Sequence, residues 1–98
     1  MMKTVNEIRK ILEFHKGEFK EKYGVKTIGI FGSYLRKEQT QTSDIDVLVE
    51  FEKPIGLLEF VGLKNHLSDL LEMKVDLVMK KALKPGIGRR ILSEVVYV

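Results

Sequence analysis

Residues 43–51 read Ser43-Asp44-Ile45-Asp46-Val47-Leu48-Val49-Glu50-Phe51, and they decide the fold. The alternation predicts a β-strand. Ile45, Val47, Val49 and Phe51 point one way, and Asp44, Asp46, Leu48 and Glu50 point the other. Lys53-Pro54 closes the run. Asp is depleted in strands, so two on one face call for a physical reason.

Upstream, Val25 to Gly32 reads as a second strand, with Val25, Ile28, Ile30 and Phe31 among small residues. Gly32-Ser33 breaks it, and Ser33 is a good N-cap for a short helix through Tyr34, Leu35 and Arg36. Lys37 to Thr42 is a polar connection. Before these lies one long amphipathic helix, capped by Thr4 or Asn6, with its stripe on Val5, Ile8, Ile11, Leu12 and Phe19. Tyr23-Gly24 ends it, because Gly suits the left-handed position after a helix.

Downstream, leucines from Leu57 to Leu71 predict a second long helix from Gly56 to Glu72. Val75 to Met79 is a third strand, with Asp76 and Val78 opposite Val75, Leu77 and Met79. Pro85-Gly86 opens the last element. Ile87, Ile91, Leu92 and Val95 suit a helix there, whereas Val95 to Val98 suits a terminal strand, and the pattern does not choose. The order predicts an α/β fold: a small mixed sheet with helices packed on one face and the carboxylates on the other.

The chain of 98 residues is the length of one domain, so residues 1–98 are read as a single unit. Hydrophobic residues make up 44%, which sets it apart from disordered chains. Lys+Arg 17 against Asp+Glu 14 gives +3, compatible with an anionic ligand. With Cys 0 there is neither a disulfide framework nor a thiolate metal site. No apolar run nears the roughly 20 residues of a membrane span, and the first ten residues lack a signal-peptide core. A soluble cytoplasmic protein is therefore expected.

Asp44 and Asp46 lie two apart on one strand, about 7 Å at the backbone. If the strand bearing Asp76 is a neighbour in suitable register, three carboxylates converge. Two such charges about 6 Å apart repel by roughly 2–3 kcal/mol at an effective dielectric near 20. A divalent cation removes that conflict, and Mg²⁺ is typically held by one or two carboxylates plus substrate phosphates. Two such ions can clamp the attacking and leaving oxygens of a phosphoryl transfer. Gly32-Ser33, a strand ending at a helix start, suits an anion: free N–H groups and the helix dipole favour phosphate, and Ser33 adds a hydroxyl.

At these residues the sequence resembles the DNA polymerase beta-like nucleotidyltransferase superfamily, specifically its minimal nucleotidyltransferase branch. The resemblance rests on Gly32-Ser33-Tyr34-Leu35-Arg36, on Ser43-Asp44-Ile45-Asp46-Val47-Leu48-Val49 and on Val75-Asp76-Leu77-Val78. Many relatives read Gly-Ser-x-Ala-Arg-Gly; here Leu35 stands in place of Ala and Lys37 in place of Gly. The resemblance implies a polymerase beta palm-like core. It implies that Gly32 and Ser33 hold the triphosphate of ATP, that Asp44, Asp46 and Asp76 bind Mg²⁺, usually two ions, and that Asp76 helps activate the attacking hydroxyl. It also implies the partner: a HEPN RNase toxin, silenced when the antitoxin transfers AMP to one of its tyrosines. Two other roles fit the same chain. One is an antitoxin that masks its partner with an idle site; the other is a small-molecule nucleotidyltransferase whose acceptor pocket lies on another chain, in a homo- or hetero-oligomer. Direct nucleic-acid binding is not expected, since so short a chain leaves little room to grip a template.

Several features have plainer readings. Arg9 and His15 have the Arg-x5-His spacing of a HEPN RNase, but about 600° of helical rotation separates them. His66 and Asp69 could share a helix face as ligands or simply meet solvent. Lys80, Lys81, Lys84, Arg89 and Arg90 form a basic stretch that is either solvated surface or a docking and steering patch. Arg36 pairs with Glu38 or Asp44, or else contacts phosphate. Glu50 shares the Asp face further along the strand and is an outside candidate for orienting metal or acceptor.

Overall fold

The computed structural model describes residues 3–32, 34–35 and 44–98. Its elements run α1 (Val5–Phe14), α2 (Lys16–Tyr23), β1 (Val25–Phe31), β2 (Ile45–Phe51), α3 (Leu57–Leu71), β3 (Val75–Met79), a 3₁₀ turn (Lys80–Ala82), α4 (Pro85–Glu94) and β4 (Val96–Tyr97).

Thr4, not Asn6, caps α1. Its hydroxyl accepts from the Glu7 N–H at 3.1 Å, and the Glu7 carboxylate returns to the Thr4 backbone, a reciprocal capping box. The one long helix expected next is two. His15 leaves helical geometry at φ −95°, ψ 4°, and its ring Nδ1 lies 3.2 Å from Glu18 Oε2. Gly17 weakens helix propensity just beyond it. The apolar stripe runs across the break because only His15 departs: Ile8, Leu12 and Phe19 are all buried. Gly24 ends α2 at φ +71°, the left-handed position that glycine favours.

The sheet has four strands in the order β3-β2-β1-β4, one more than the three expected. β1 pairs antiparallel with β2 and β4, and β2 pairs parallel with β3, so the sheet is mixed. The fourth strand arises because both readings of the C-terminal segment hold in turn. Pro85 sits at the first helical position of α4, Val95 turns extended, and Val96 and Tyr97 then pair with Ile30 and Gly29. Gly29 is what lets this return lie close. A Cβ there would meet Val95 Cγ2 at 2.7 Å and the Val96 carbonyl at 3.0 Å.

One face of the sheet makes the core. Ile28 and Ile30 of β1, Ile45, Val47 and Val49 of β2, and Val75 and Leu77 of β3 pack on Ile8, Leu12 and Phe19 and on Leu63, Leu67 and Leu71 of α3. Alternation therefore turns Asp46, Leu48, Glu50 and Asp76 to the other face. That face is not fully open, as Phe31 and Leu48 are buried outside the main cluster and Val95 lies over Gly29. Among the described residues no helix is long and apolar enough to cross a membrane.

A histidine–glutamate bridge joins α2 to α3. Glu18 Oε1 lies 3.1 Å from His66 Nε2, the Tyr23 hydroxyl lies 3.2 Å from His66 Nδ1, and the Phe19 and His66 rings meet edge-on. His66 thus turns to α2 and not toward a shared ligand set with Asp69. The hydrogen bond from His15 holds the Glu18 carboxyl below the usual glutamate range, helped by the charges of His66, His15 and Lys22 and opposed by desolvation. A carboxyl depressed in the folded state contributes stability above its unfolded pKa and loses it as pH falls through the folded value. Wild-type melting temperature should therefore fall on acidification below about pH 4.5, and Glu18→Gln should flatten part of that slope. Parallel melting curves for the two proteins across that range would count against the bridge.

Candidate active site

β1 delivers the chain to Gly32, directly beyond the pair formed by Phe31 and Asp46. Gly32 takes φ +86°, where side chains are disfavoured. A Cβ on Gly32 would run into Asp46 Oδ2 and stand 2.9 Å from Asp46 Cγ. Glycine is thus needed here twice, for its backbone angle and for the space that the carboxylate occupies. Beyond it, the Leu35 N–H donates to the Gly32 carbonyl at 3.1 Å, and Tyr34 and Leu35 form a turn where a short helix was expected. Tyr34 anchors the turn by driving its ring into the core, only 1% exposed, and burial pushes its hydroxyl pKa up. Ser33 and Arg36, read above as nucleotide ligands, lie outside the described residues.

Asp44 stands immediately before β2, half-buried, at a junction where the Ile45 N–H donates to the Lys74 carbonyl at 3.0 Å. The parallel register then sets Asp46 directly beside Asp76. Asp46 is half-buried and Asp76 is exposed. The structure thus makes neighbours of two acids about 30 positions apart in the chain and places the third at the mouth of the same strand. Among the described residues no three acidic or histidine side chains close into a ready-made metal cluster. The donor set is nonetheless the one Mg²⁺ takes: oxygen only, with carboxylates on adjacent strands and the remaining positions left to water and phosphate.

The sequence predicts free N–H groups for phosphate at Gly32-Ser33, but the N–H of Gly32 is taken. It donates to Glu94 Oε1 at 3.2 Å. Glu94, the last residue of α4, is the site residue that pattern reading missed. A signal was present: an acid in the last turn of a helix opposes the macrodipole and so asks for a partner elsewhere. Glu50 lies away from the acids. It accepts from Thr27 Oγ1 at 3.3 Å and lies 3.8 Å from Lys80 Nζ, which also sits over the Tyr97 ring. Lys81, Lys84, Arg89 and Arg90 are exposed.

A sequence profile of the nucleotidyltransferase domain matches residues 8–98. The chain belongs to the nucleotidyltransferase domain family. The protein adenylyltransferase MntA of Thermococcus cleftensis is 52% identical over 97 residues, covering 99% of this chain and 98% of that relative. A solved structure of a minimal nucleotidyltransferase matches with TM-score 0.82 at 31% identity, over 96% of this chain and 95% of the other. A solved complex of a tri-AMPylated Shewanella oneidensis HEPN toxin with MNT antitoxin matches with TM-score 0.61 at 22% identity, over 94% of this chain and 66% of that one, a likeness of fold alone. The minimal nucleotidyltransferase fold read from residues 32–36, 43–49 and 75–78 is therefore the fold of this chain. In a nucleotidyltransferase of this architecture, Gly32 marks the end of β1, and the acids of β2 and β3 stand beside it.

Proposed function

We propose that this nucleotidyltransferase transfers AMP from ATP to a hydroxyl of a partner protein, a tyrosine of a HEPN RNase toxin, and acts in the cytoplasm as its antitoxin. The observation that carries the reading is the side-by-side register of Asp46 and Asp76 with Gly32 pressed on Asp46. The protein adenylyltransferase name of a relative 52% identical supports the choice of AMP and of a protein acceptor.

Asp44, Asp46 and Asp76 would hold Mg²⁺, which when bound supplies charge neutralisation for the triphosphate. The chain's own groups do the rest. Gly32 keeps the end of β1 narrow, so the triphosphate can approach the Asp46 carboxylate without meeting a side chain. Ser33 and Arg36 are assigned to the phosphates. Asp76, exposed beside Asp46, receives the proton of the acceptor hydroxyl. The acceptor oxygen bonds to the α-phosphorus, the bond from that phosphorus to the bridging oxygen breaks, and pyrophosphate leaves with the electron pair. Positioning and electrostatics supply the acceleration, as in other phosphoryl transfers.

The direct test incubates the protein with α-labelled ATP, MgCl₂ and a candidate HEPN partner protein. The expected result is label on the HEPN chain with wild type and none with the Asp44→Asn/Asp46→Asn double variant. If the two proteins behave alike, transfer to that acceptor is rejected. Toxin silenced by the double variant would show that masking suffices.

A further inference from the structure

Glu94 is held at the site from two directions. Its Oε1 accepts from the Gly32 N–H at 3.2 Å in a part-buried setting. The residues after it are tied down: the Val95 N–H donates to the Ile91 carbonyl at 2.9 Å, Val96 and Tyr97 pair with β1, and the Val98 N–H donates to the Ile28 carbonyl at 3.0 Å. Gly32 has no side chain to restrain it, and its φ of +86° is only one of the many backbone conformations open to glycine. Gly32, which must sit against Asp46, is thus fixed through both of its flanking peptide groups: its N–H donates to Glu94 Oε1, and its carbonyl accepts from the Leu35 N–H.

We propose that Glu94 is a positioning residue for AMP transfer: by holding the Gly32 amide it fixes the end of β1 against the Asp46 carboxylate, and so sets where the nucleotide phosphates meet the acids. The activity part rests on the adenylyl-transfer reading above. The hydrogen-bond part does not. An amide side chain can accept the same hydrogen bond, so the role requires an acceptor at this point and not a charge.

Two variants and two readouts test it. Glu94→Ala is expected to lower kcat for AMP transfer about 10–100-fold, with a smaller change in KM for ATP, and Glu94→Gln to recover most of that loss. Amide hydrogen exchange read by NMR gives the second readout, without any activity. The Gly32 amide should be protected in wild type and in Glu94→Gln and exchange faster in Glu94→Ala, while Ile28 and Ile30 stay protected. Unchanged Gly32 protection in Glu94→Ala overturns the proposal whether or not the enzyme transfers AMP. Equal kcat losses in both variants would also overturn it, because charge would then be the active property. So would tighter ATP binding in both, since Glu94 would then be competing with phosphate. A wild type that shows the exchange pattern but transfers nothing would instead reject the adenylyl-transfer reading.

Discussion

Asp46→Asn should lower AMP transfer by about 10²–10³-fold or more, a loss far larger than any shift in melting temperature accounts for. The substitution keeps the side chain's size and removes its charge. On the stability side, Asp46 and Asp76 are register neighbours on parallel strands. The exposure of Asp76 lets solvent screen their mutual repulsion, and Asn fills the space of the half-buried Asp46, so the fold should survive the change. On the activity side, a neutral amide oxygen is a weak ligand for a hard divalent ion and leaves the triphosphate charge uncompensated. Initial rates of label transfer and a thermal melt on the same preparation check both halves. A variant that loses activity only in step with a drop of several degrees would show Asp46 to be structural. One that keeps full activity would remove it from the site.

Gly32→Ala should damage fold and site together. The methyl group faces two penalties. At φ +86° the backbone conformation costs an L-residue roughly 1–2 kcal/mol. The new Cβ also runs into the Asp46 carboxylate, and its Cγ at 2.9 Å leaves no room for a small adjustment. Either the carboxylate swings away from Asp76 or the end of β1 lifts from β2. A destabilisation of about 1–3 kcal/mol follows, which lowers the melting temperature by about 5–20 °C in a domain of this size. Transfer should fall about 100-fold even well below the new melting temperature, because the surviving folded molecules carry a displaced Asp46. Gly17→Ala is the matched control: nothing lies within 4 Å of a Cβ there, and the position is helical. A melt for Gly32→Ala indistinguishable from that control would sink the steric account.

The two strands that bear the acids were legible because each sets an acid between apolar residues, Asp46 between Ile45 and Val47 and Asp76 between Val75 and Leu77. Val75–Met79 begins and ends where the sequence places it, and Ile45–Phe51 starts two residues inside the stretch read from Ser43. The side of the sheet was legible too, since Ile45, Val47 and Val49 could not share a face with Asp46. Register was not. Whether Asp46 sits beside Asp76 or beside Val78 depends on how far α3 displaces the returning strand, and no local pattern encodes that distance. His15 was hidden for a different reason: a single residue out of helical geometry barely disturbs a three-and-four stripe. Val95 to Val98 looked ambiguous because the helix ends only two residues before the strand begins, and only pairing with Gly29 and Ile30 marks where one gives way to the other. Glu94 escaped because its partner is a backbone amide 62 positions away, and pattern reading sees side chains.

The mixed sheet also dictates an order of assembly. β1 and β2 run antiparallel and can zip as soon as the segment between them closes on itself. β2 and β3 run parallel, so their pairing waits for the whole crossover through α3 to condense. The two acids sit on opposite sides of that slower seam. During synthesis and refolding their charges stay apart, and they are driven together only when the core beneath them is dense enough to hold them there. Competence for chemistry therefore waits for that seam to shut, and chains in which it is still open carry the motif without the means to use it.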